Sequence, residues 1–492
     1  MTVKDYLQLI DDVIANGRYK DNWGSLSNHK TPDWYYKGKL GIFIHWGIYS
    51  VPAYGSEWYS RGMYDINHRE FGHHVTTYGN QDKFGYKDFI PMFKAEKFNA
   101  EKWVELFKNA GAKYVMPVCE HHDGFAMYET EFNRWNAKNM GPCRDIAGEL
   151  KNACDKNGLV FCASSHRAEH YFFMNMGRTF NSDVNDERYA DFYGPAVHCS
   201  EFDSDTIHST TADTYSTGAS KEWLEDWLVR TCELIDKYQP KTLYFDWWMH
   251  NHSFKPYLKK LCAYYYNRAE EWGAEVTINY KHEAFPPTVA TFDVERGALT
   301  DISPVPWQTD TAIGKDSWGY RKDNSYKNSR QIIADLIDIV SKNGMLLINI
   351  GPKPDGTITD EETQVLNELG AWMKLNGDGI YGTTFWKQFG EGEVNNEAGF
   401  FKDREEKPYT EKDFRFTYKN GAVYAFQMRP NGKDAKIKAL AKHIPHDFIV
   451  KSVTLLSTNE LLEFERTADE MIVKANDSFV SDYPICFKIE ID

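Results

Sequence analysis

The distribution of apolar and polar positions divides the chain into two textures. From about residue 39 to 352 one unit recurs: a short apolar, β-rich run ending in polar or ionisable residues, then a loop, then a stretch with apolar residues three and four apart. The runs at 40–45, 113–119, 159–164, 242–246, 276–280, 291–295 and 345–350 predict strands. Between them the spacing predicts helices over 101–110, 145–156, 221–238, 257–272 and 329–342. The first presents Trp103, Val104, Phe107 and Ala110 on one face and stops at Gly111, where a residue without Cβ takes the left-handed cap. The third presents Trp227, Leu228, Leu234 and Ile235 and stops before Pro240. Strands alternating with helices imply parallel strands joined by crossovers.

Two parallel architectures compete, an open doubly wound sheet and a closed barrel. The open form carries a Gly-rich phosphate turn after its first strand, whereas here that strand runs into His45, Trp46 and Gly47 with no G-x-G-x-x-G. At least five strands end in His, Asp, Glu or other polar side chains, where a barrel collects its active site. The expected fold class is therefore α/β, a (β/α)8-like (TIM) barrel. Seven strands are evident and an eighth is not, so the expected closure is irregular. After Gly351, Thr359 with Glu362 forms a capping-box signature for a helix that ends at Asn376-Gly377. Beyond about 388 the helical spacing disappears. The runs 414–418 and 422–426 around Asn420-Gly421 predict a tight hairpin, and 448–456, 470–473 and 484–489 add strands. The expected organisation is a catalytic barrel over residues 1–387 and an antiparallel β-sandwich over 388–492.

Composition narrows the function. Lys plus Arg total 57 against 72 Asp plus Glu, a net charge of −15 that argues against nucleic acid as a partner. Apolar runs fall far short of the roughly 18 residues of a membrane span. Residues 1–23 carry Asp5, Asp11 and Asp12 in place of a basic and then apolar leader, so the expected location is cytoplasmic, without a membrane partner. The 8 Cys (119, 143, 154, 162, 199, 232, 262 and 486) form no C-x-x-C pair, and free, mostly buried thiols are expected. The sequence leaves self-association as a homo-oligomer open. The 30 Phe, 30 Tyr and 15 Trp exceed what a core of this kind requires and suit surfaces that stack on flat apolar faces.

Candidate chemistry sits at the strand ends. The segment 242–248 delivers one carboxylate, Asp246, into aromatic surroundings, where it can act as a nucleophile or simply cap the next turn. In 291–295 the period of two puts Asp293 and Glu295 on one face, aimed at the barrel mouth, unless Glu295 pairs with Arg296. Two such carboxyl groups are what glycoside cleavage needs, one to protonate the leaving oxygen and one to attack or to activate water. His45 and the pair His121-His122 follow two other strands, and His166 a third, so imidazoles converge at the same mouth. They can hydrogen-bond vicinal hydroxyls or bind metal, although neither H-x-H nor H-E-x-x-H spacing is present. Glu57-Trp58-Tyr59 lies in the loop after the first strand, where Trp58 can stack on a pyranose and Glu57 accept hydroxyl bonds. Of the aromatics, Trp46, Trp58, Tyr59, Phe125, Trp247 and Trp248 are expected to gather around this mouth, with Trp103, Trp227, Trp372 and Phe426 in the core.

These motifs, in order, resemble the α-L-fucosidases of glycoside hydrolase family 29 over roughly residues 34–386. They are Gly41-Ile-Phe-Ile-His-Trp-Gly-Ile-Tyr-Ser-Val-Pro, Gly55-Ser-Glu-Trp-Tyr, Ala110-Gly-Ala-Lys-Tyr-Val, His121-His-Asp-Gly-Phe, Trp135-Asn with Arg144-Asp, and Leu243-Tyr-Phe-Asp246. Ser341-Lys-Asn-Gly-Met-Leu-Leu-Ile-Asn-Ile-Gly-Pro, Asp355-Gly-Thr-Ile and Asn376-Gly-Asp-Gly-Ile-Tyr-Gly complete the series. The resemblance implies a retaining exo-fucosidase acting on fucosylated glycans, with no cofactor and no metal. It implies Asp246 as nucleophile, with His45, Glu57, Trp58, His121 and His122 around the sugar. For the general acid it favours Glu295, with Glu283 as the alternative. Two features depart from the family pattern. Ser164-Ser165-His166 stands where many members have aromatic residues, and Lys281 where some have Arg. A metal-dependent barrel hydrolase and a non-catalytic fucose-binding protein are the competing functions.

Overall fold

The computed structural model describes residues 1–197, 218–442 and 448–492. Eight parallel strands form the barrel: β1 (Leu40–Ile44), β2 (Tyr114–Glu120), β3 (Val160–Phe161, continued by Ala163–Ser165), β4 (Thr242–Phe245), β5 (Thr277–Tyr280), β6 (Thr291–Phe292), β7 (Trp307–Ala312) and β8 (Gly344–Ile350). Their spatial order is β6-β5-β4-β3-β2-β1-β8-β7. The ring then closes through one parallel bridge between Asp293 and Gln308, extended by Val294 N–H to Gln308 O (2.9 Å) and Arg296 N–H to Asp310 O (2.8 Å).

The strand missing from the sequence pattern is β7, Trp-Gln-Thr-Asp-Thr-Ala. Its inward residues are polar and find partners inside the barrel: Gln308 Nε2 donates to Asp293 (2.7 Å), and Asp310 accepts from the Tyr244 hydroxyl (2.8 Å). An apolar alternation never appears because hydrogen bonding replaces apolar packing on that face.

Helices α2 (Ala100–Asn109), α3 (Ile146–Asn157), α4 (Lys221–Tyr238), α5 (Lys255–Glu271) and α6 (Ser329–Ser341) make the crossovers, preceded by α1 (Val3–Asn16) packed on α4 and α5. Each crossover helix but α5 opens on a side-chain cap, from Asn99, Asp145, Ser220 and Asn328 respectively. No named helix joins β5 to β6 or β6 to β7, so this side of the barrel departs from regular β/α alternation. At α7 (Asp360–Asn376) Thr359 is the N-cap. Glu362 N–H donates to Thr359 Oγ1 (3.2 Å), and the Glu362 carboxylate also accepts from Gly351 N–H (2.8 Å), fixing the end of β8 to the helix.

The C-terminal strands form two antiparallel sheets. One contains β9 (Thr384–Glu391), β10 (Phe414–Lys419), β11 (Ala422–Gln427), β13 (Val450–Leu455), β14 (Glu460–Leu461) and β17 (Ile485–Ile491); the other contains β12 (Ala435–Ile437), β15 (Phe464–Arg466) and β16 (Met471–Val473). Phe414, Phe416, Val453, Met471, Val473 and Phe487 fill a core of their own between them. At the β10–β11 hairpin, Asn420 and Gly421 both take positive φ (50° and 79°), the conformation of a turn that matches strand twist. The fold class is as expected, a barrel followed by a sandwich. Strand β9 begins before residue 388, and residues 396–404 run back from the sandwich to pair with the barrel rim at 295–298.

Buried charge ties the two units together. Asp338 on α6 receives Arg415 Nε from β10, Lys342 Nζ (2.8 Å) and Asn396 Nδ2 (2.5 Å), all in a buried setting. Removing the one anion strands two buried cations, which costs about 3–5 kcal/mol for a buried pair broken on one side. Asp338→Ala should therefore lower the thermal midpoint by several degrees and open the 391–415 region to protease. An unchanged melting curve would mean that this cluster does not hold the units together.

Candidate active site

The side-chain alternation that fills the barrel also builds its mouth. Phe43, Tyr114, Met116, Cys162, Tyr244, Met345 and Leu347 pack together in the interior, with Tyr35 plugging the lower end. Tyr114 lies flat across Gly41, where a Cβ would come within 2.1 Å of the ring, so only glycine fits there. One step of two residues further along each strand stands a polar group: His45 beyond Phe43, Asp246 beyond Tyr244, Lys281 beyond Asn279, Glu295 beyond Asp293, and Asn349 beyond Leu347. These residues, except Asn349, line a cavity of about 670 Å3, in the range of ligand-binding clefts.

Lys281 organises the charge. Its buried ammonium lies 2.8 Å from Asp246 Oδ1 and 2.6 Å from Glu295 Oε2. Burial would strip the lysine of its proton, but the two carboxylates hold its pKa well above the usual value. Asp246 is held from three further directions. Trp247 N–H donates to Oδ1 (2.9 Å), while His166 Nδ1 (3.0 Å) and His122 Nε2 (3.4 Å) approach Oδ2. Burial works against its ionisation, yet Lys281 and the two imidazoles keep its pKa well below the usual carboxylate range. The turn-capping role and the charged role therefore coexist in one side chain.

Glu295 is pushed the other way. Burial and the charges of Asp246 and Asp310 raise it to about 7, against the opposing pull of Lys281. It does not pair with Arg296, whose guanidinium lies over the Trp318 ring (4.6 Å). Asp293 is not at the mouth with it. It sits a layer deeper, fully buried against Gln308 and close to Asp310, and burial with that neighbouring carboxylate raises its pKa well above the usual value. Environments have thus separated two neighbouring carboxyl groups into an anion and an acid.

Imidazoles form one wall. His45 Nδ1 meets Asn349 Oδ1 (2.7 Å), and burial followed by nearby His166 holds its pKa well below the usual value; His121, likewise buried among imidazoles, shifts in the same direction. His121 Nδ1 is buried with no hydrogen-bond partner among the described residues, a group left for a ligand hydroxyl. His122 differs. Although burial opposes charge, Glu169 (3.4 Å) and Asp246 raise its pKa to about 10, so it carries a proton at neutral pH. Glu169 thus pairs with His122, while Arg167 pairs with Glu120 and Asp226.

Two sets, His45 with His121 and His166, and His122 with His166 and Asp246, bring ligand-type atoms within 4.8 Å of one another. The second set already has a cation in Lys281, which repels a metal at Asp246. The first consists only of imidazoles, equally able to bond hydroxyls.

All eight residues singled out from the sequence, His45, Glu57, Trp58, His121, His122, His166, Asp246 and Glu295, line this one cavity. Glu57 Oε2 accepts from Ser317 Oγ and Trp318 N–H (both 2.9 Å), tying the first loop to the loop after β7. Glu283 does not join them; it is exposed and lines a neighbouring cleft with Trp23 and Phe285. Of the aromatics expected here, Trp58 and Trp247 line the cavity. Trp46 is buried against Phe93, Phe98 and Trp103, Tyr59 against Phe89 and His74, and Trp248 against Tyr171, Phe172 and Phe254, while Phe125 is buried as well. Trp318 and Tyr244 line the cavity without having been expected. Trp318 lies in a polar loop with no periodic signal, and Tyr244 within the strand pattern reads as core.

The comparisons agree with this arrangement. The family model for alpha-L-fucosidase matches residues 7–378. Tissue alpha-L-fucosidase of Homo sapiens is 30% identical over 380 residues, covering 75% of this chain and 73% of the relative. Plasma alpha-L-fucosidase of Pongo abelii is 29% identical over 393 residues, covering 75% and 74%. Among solved structures, Thermotoga maritima alpha-fucosidase in complex with fucose superposes with a TM-score of 0.74 at 29% identity, covering 96% of this chain and all of that one. The chain belongs to the alpha-L-fucosidase family, a family of glycoside hydrolases.

Proposed function

We propose that the barrel cavity hydrolyses terminal α-L-fucosyl residues of fucosylated glycans by double displacement, with Asp246 as nucleophile and Glu295 as general acid and base. The observation that carries this reading is the shared contact with Lys281. Each carboxylate has an oxygen within 2.8 Å of one nitrogen, so those oxygens lie less than twice that distance apart. That suits the ~5–5.5 Å separation of a retaining pair better than the ~6.5–9.5 Å that leaves room for an attacking water.

In the first step Asp246 forms a bond to the anomeric carbon as the glycosidic bond breaks, and Glu295 gives its proton to the departing oxygen. In the second, Glu295 takes a proton from water, which attacks the same carbon and expels Asp246. Two inversions leave the α configuration. Glu57, Trp58, His45, His121 and His122 surround the sugar in this reading, and His166 holds Asp246 from the side opposite Lys281. The positive charges of Lys281 and His122 keep the nucleophile ionised, while burial and the Asp246 charge keep the acid protonated. A metal-dependent route is disfavoured by the ammonium beside Asp246, and a purely binding role by the matched pair of carboxyl groups.

The catalytic unit in this proposal is residues 1–387, with 388–492 as the sandwich that lends Phe400, Phe401, Asp403 and Arg404 to the cavity wall. Among the described residues no helix is long and apolar enough to cross a membrane. The seven described cysteines are all free and six are buried, which suits the proposed cytoplasmic location; Cys199 lies outside the described residues.

Asp246→Ala should lower turnover of an aryl α-L-fucoside by more than about 10³-fold, with added azide giving β-L-fucosyl azide. Near-normal turnover would sink the nucleophile assignment. Glu295→Ala should lose about 10²–10⁴-fold on substrates with poor leaving groups and much less on activated ones, with azide giving the α-azide. Wild-type rates on both would move the acid elsewhere.

The pH profile follows from the same charges. Glu295 must carry a proton, and that fraction falls as pH rises through about 7, so kcat/KM should decline above neutrality. Lys281 pulls both carboxyl pKa values down, hence Lys281→Met should move both limbs of the profile to higher pH. A limb that stays in place or moves down would contradict the assigned charge pattern.

A further inference from the structure

The wall on the Glu295 side of the cavity is not made by a barrel loop. Residues 399–402, arriving from the sandwich after β9, run antiparallel to 295–298. Phe401 N–H donates to Glu295 O (3.0 Å), Lys402 N–H to Arg296 O (2.7 Å), and Gly399 N–H to Ala298 O (3.1 Å). The segment is pinned on both sides. Asn396 donates to Asp338, and Asp403 receives Lys327 Nζ and Thr311 Oγ1. A strap held this firmly is preorganised.

What it presents is a bulky ring in a costly conformation. Phe401 is 51% exposed and has φ of +57°, in the left-handed region that non-glycine residues avoid. Arg296 (φ +45°) and His282 (φ +51°), which line the same cavity, share that strain. Strained backbone of this kind persists where the surrounding structure enforces it and tends to mark functional sites. Next to Phe401 in the chain, Phe400 stacks on the His282 ring at 5.3 Å and 29°, and all three residues line the cavity as an aromatic shelf.

The shelf's position assigns its ligand class. An acid that protonates the glycosidic oxygen must lie beside the group that departs with that oxygen, and Phe401 is hydrogen-bonded to the backbone of Glu295. Resting on the reading of Glu295 as the acid, we propose that Phe401, with Phe400 and His282 in the same cavity lining, is a subsite for the pyranose residue to which fucose is joined. The flat ring meets the apolar face of that pyranose, a contact absent for a leaving group without a sugar ring.

The test compares kcat/KM on two substrates in the full-length protein. One is α-L-fucosyl fluoride, whose leaving group is too small to touch the shelf. The other is the fucosyl disaccharide turned over fastest in a panel of α1,2-, α1,3-, α1,4- and α1,6-linked forms. In Phe401→Ala the disaccharide-to-fluoride ratio should fall about tenfold, and in Phe401→Trp it should stay at or above the wild-type value. Phe401→Leu keeps apolar bulk without a flat ring and should also lower the ratio, which covers failure of the alanine variant to fold. A ratio unchanged in Phe401→Ala and Phe401→Leu overturns the proposal, as does an equal loss on both substrates, which would place the ring against fucose. Glu295→Ala run alongside separates the two readings, since wild-type disaccharide hydrolysis there removes the acid assignment whatever the Phe401 ratio shows.

Discussion

A buried ammonium between two carboxyl groups is the interaction on which the mouth of this barrel depends. Lys281 is 2% exposed, and an ion so placed costs several kcal/mol unless its partners are close and correctly oriented. Asp246 and Glu295 provide that compensation from the ends of two other strands. The arrangement is asymmetric because Asp246 also receives two imidazoles and a backbone N–H, while Glu295 has mainly burial and neighbouring anions around it. One cation thereby sets the spacing of the pair, and its surroundings decide which member ionises. An arginine at this position would offer a planar fork and a permanent charge; the lysine offers a point charge that both carboxylates share.

The lower barrel makes this possible through polar packing. Gln308, Asp293, Asp310, Tyr244 and Tyr35 are linked by hydrogen bonds beneath the site, so the interior is a bonded layer as well as an apolar one. A hydrogen-bonded layer fixes strand register more tightly than interchangeable methyl groups, since each bond has a direction. The irregular quadrant, where β5, β6 and β7 follow one another without an intervening named helix, is the quadrant that carries Lys281 and Glu295. There the sandwich supplies what a crossover loop supplies elsewhere, a strap that closes the rim.

Much of the aromatic excess proved to be scaffold. Trp46, Tyr59 and Trp248 follow the strand ends in sequence, yet each turns away into the layer between strands and helices. The rings at the cavity are fewer: Trp58, Trp247, Trp318, Phe43 and Tyr244 inside, and Phe400 with Phe401 at the mouth. A stretch such as 242–248 shows that aromatics surround a carboxylate but not which of them face it. Of three consecutive residues, Asp246 and Trp247 line the cavity while Trp248 packs into the scaffold, and the short helical turn that follows the strand sets this division.

The sequence by itself determined the alternation of apolar runs and helical stretches, the cap at Thr359, the Asn420-Gly421 turn, and the strand-end positions of His45, His121, His122, His166, Asp246 and Glu295. These are local properties, set by a period of two or of 3.6 and by the chemistry of single residues. The tertiary structure decided what depends on residues far apart. It made an eighth strand from a polar run whose partners lie 15 and 66 residues away. It dropped Asp293 below the site, placed Glu283 outside it, put Lys281 between two carboxylates, and returned residues 396–404 to the rim. Each outcome rests on burial and on charges brought together by closure of the barrel, and neither quantity exists along an extended chain.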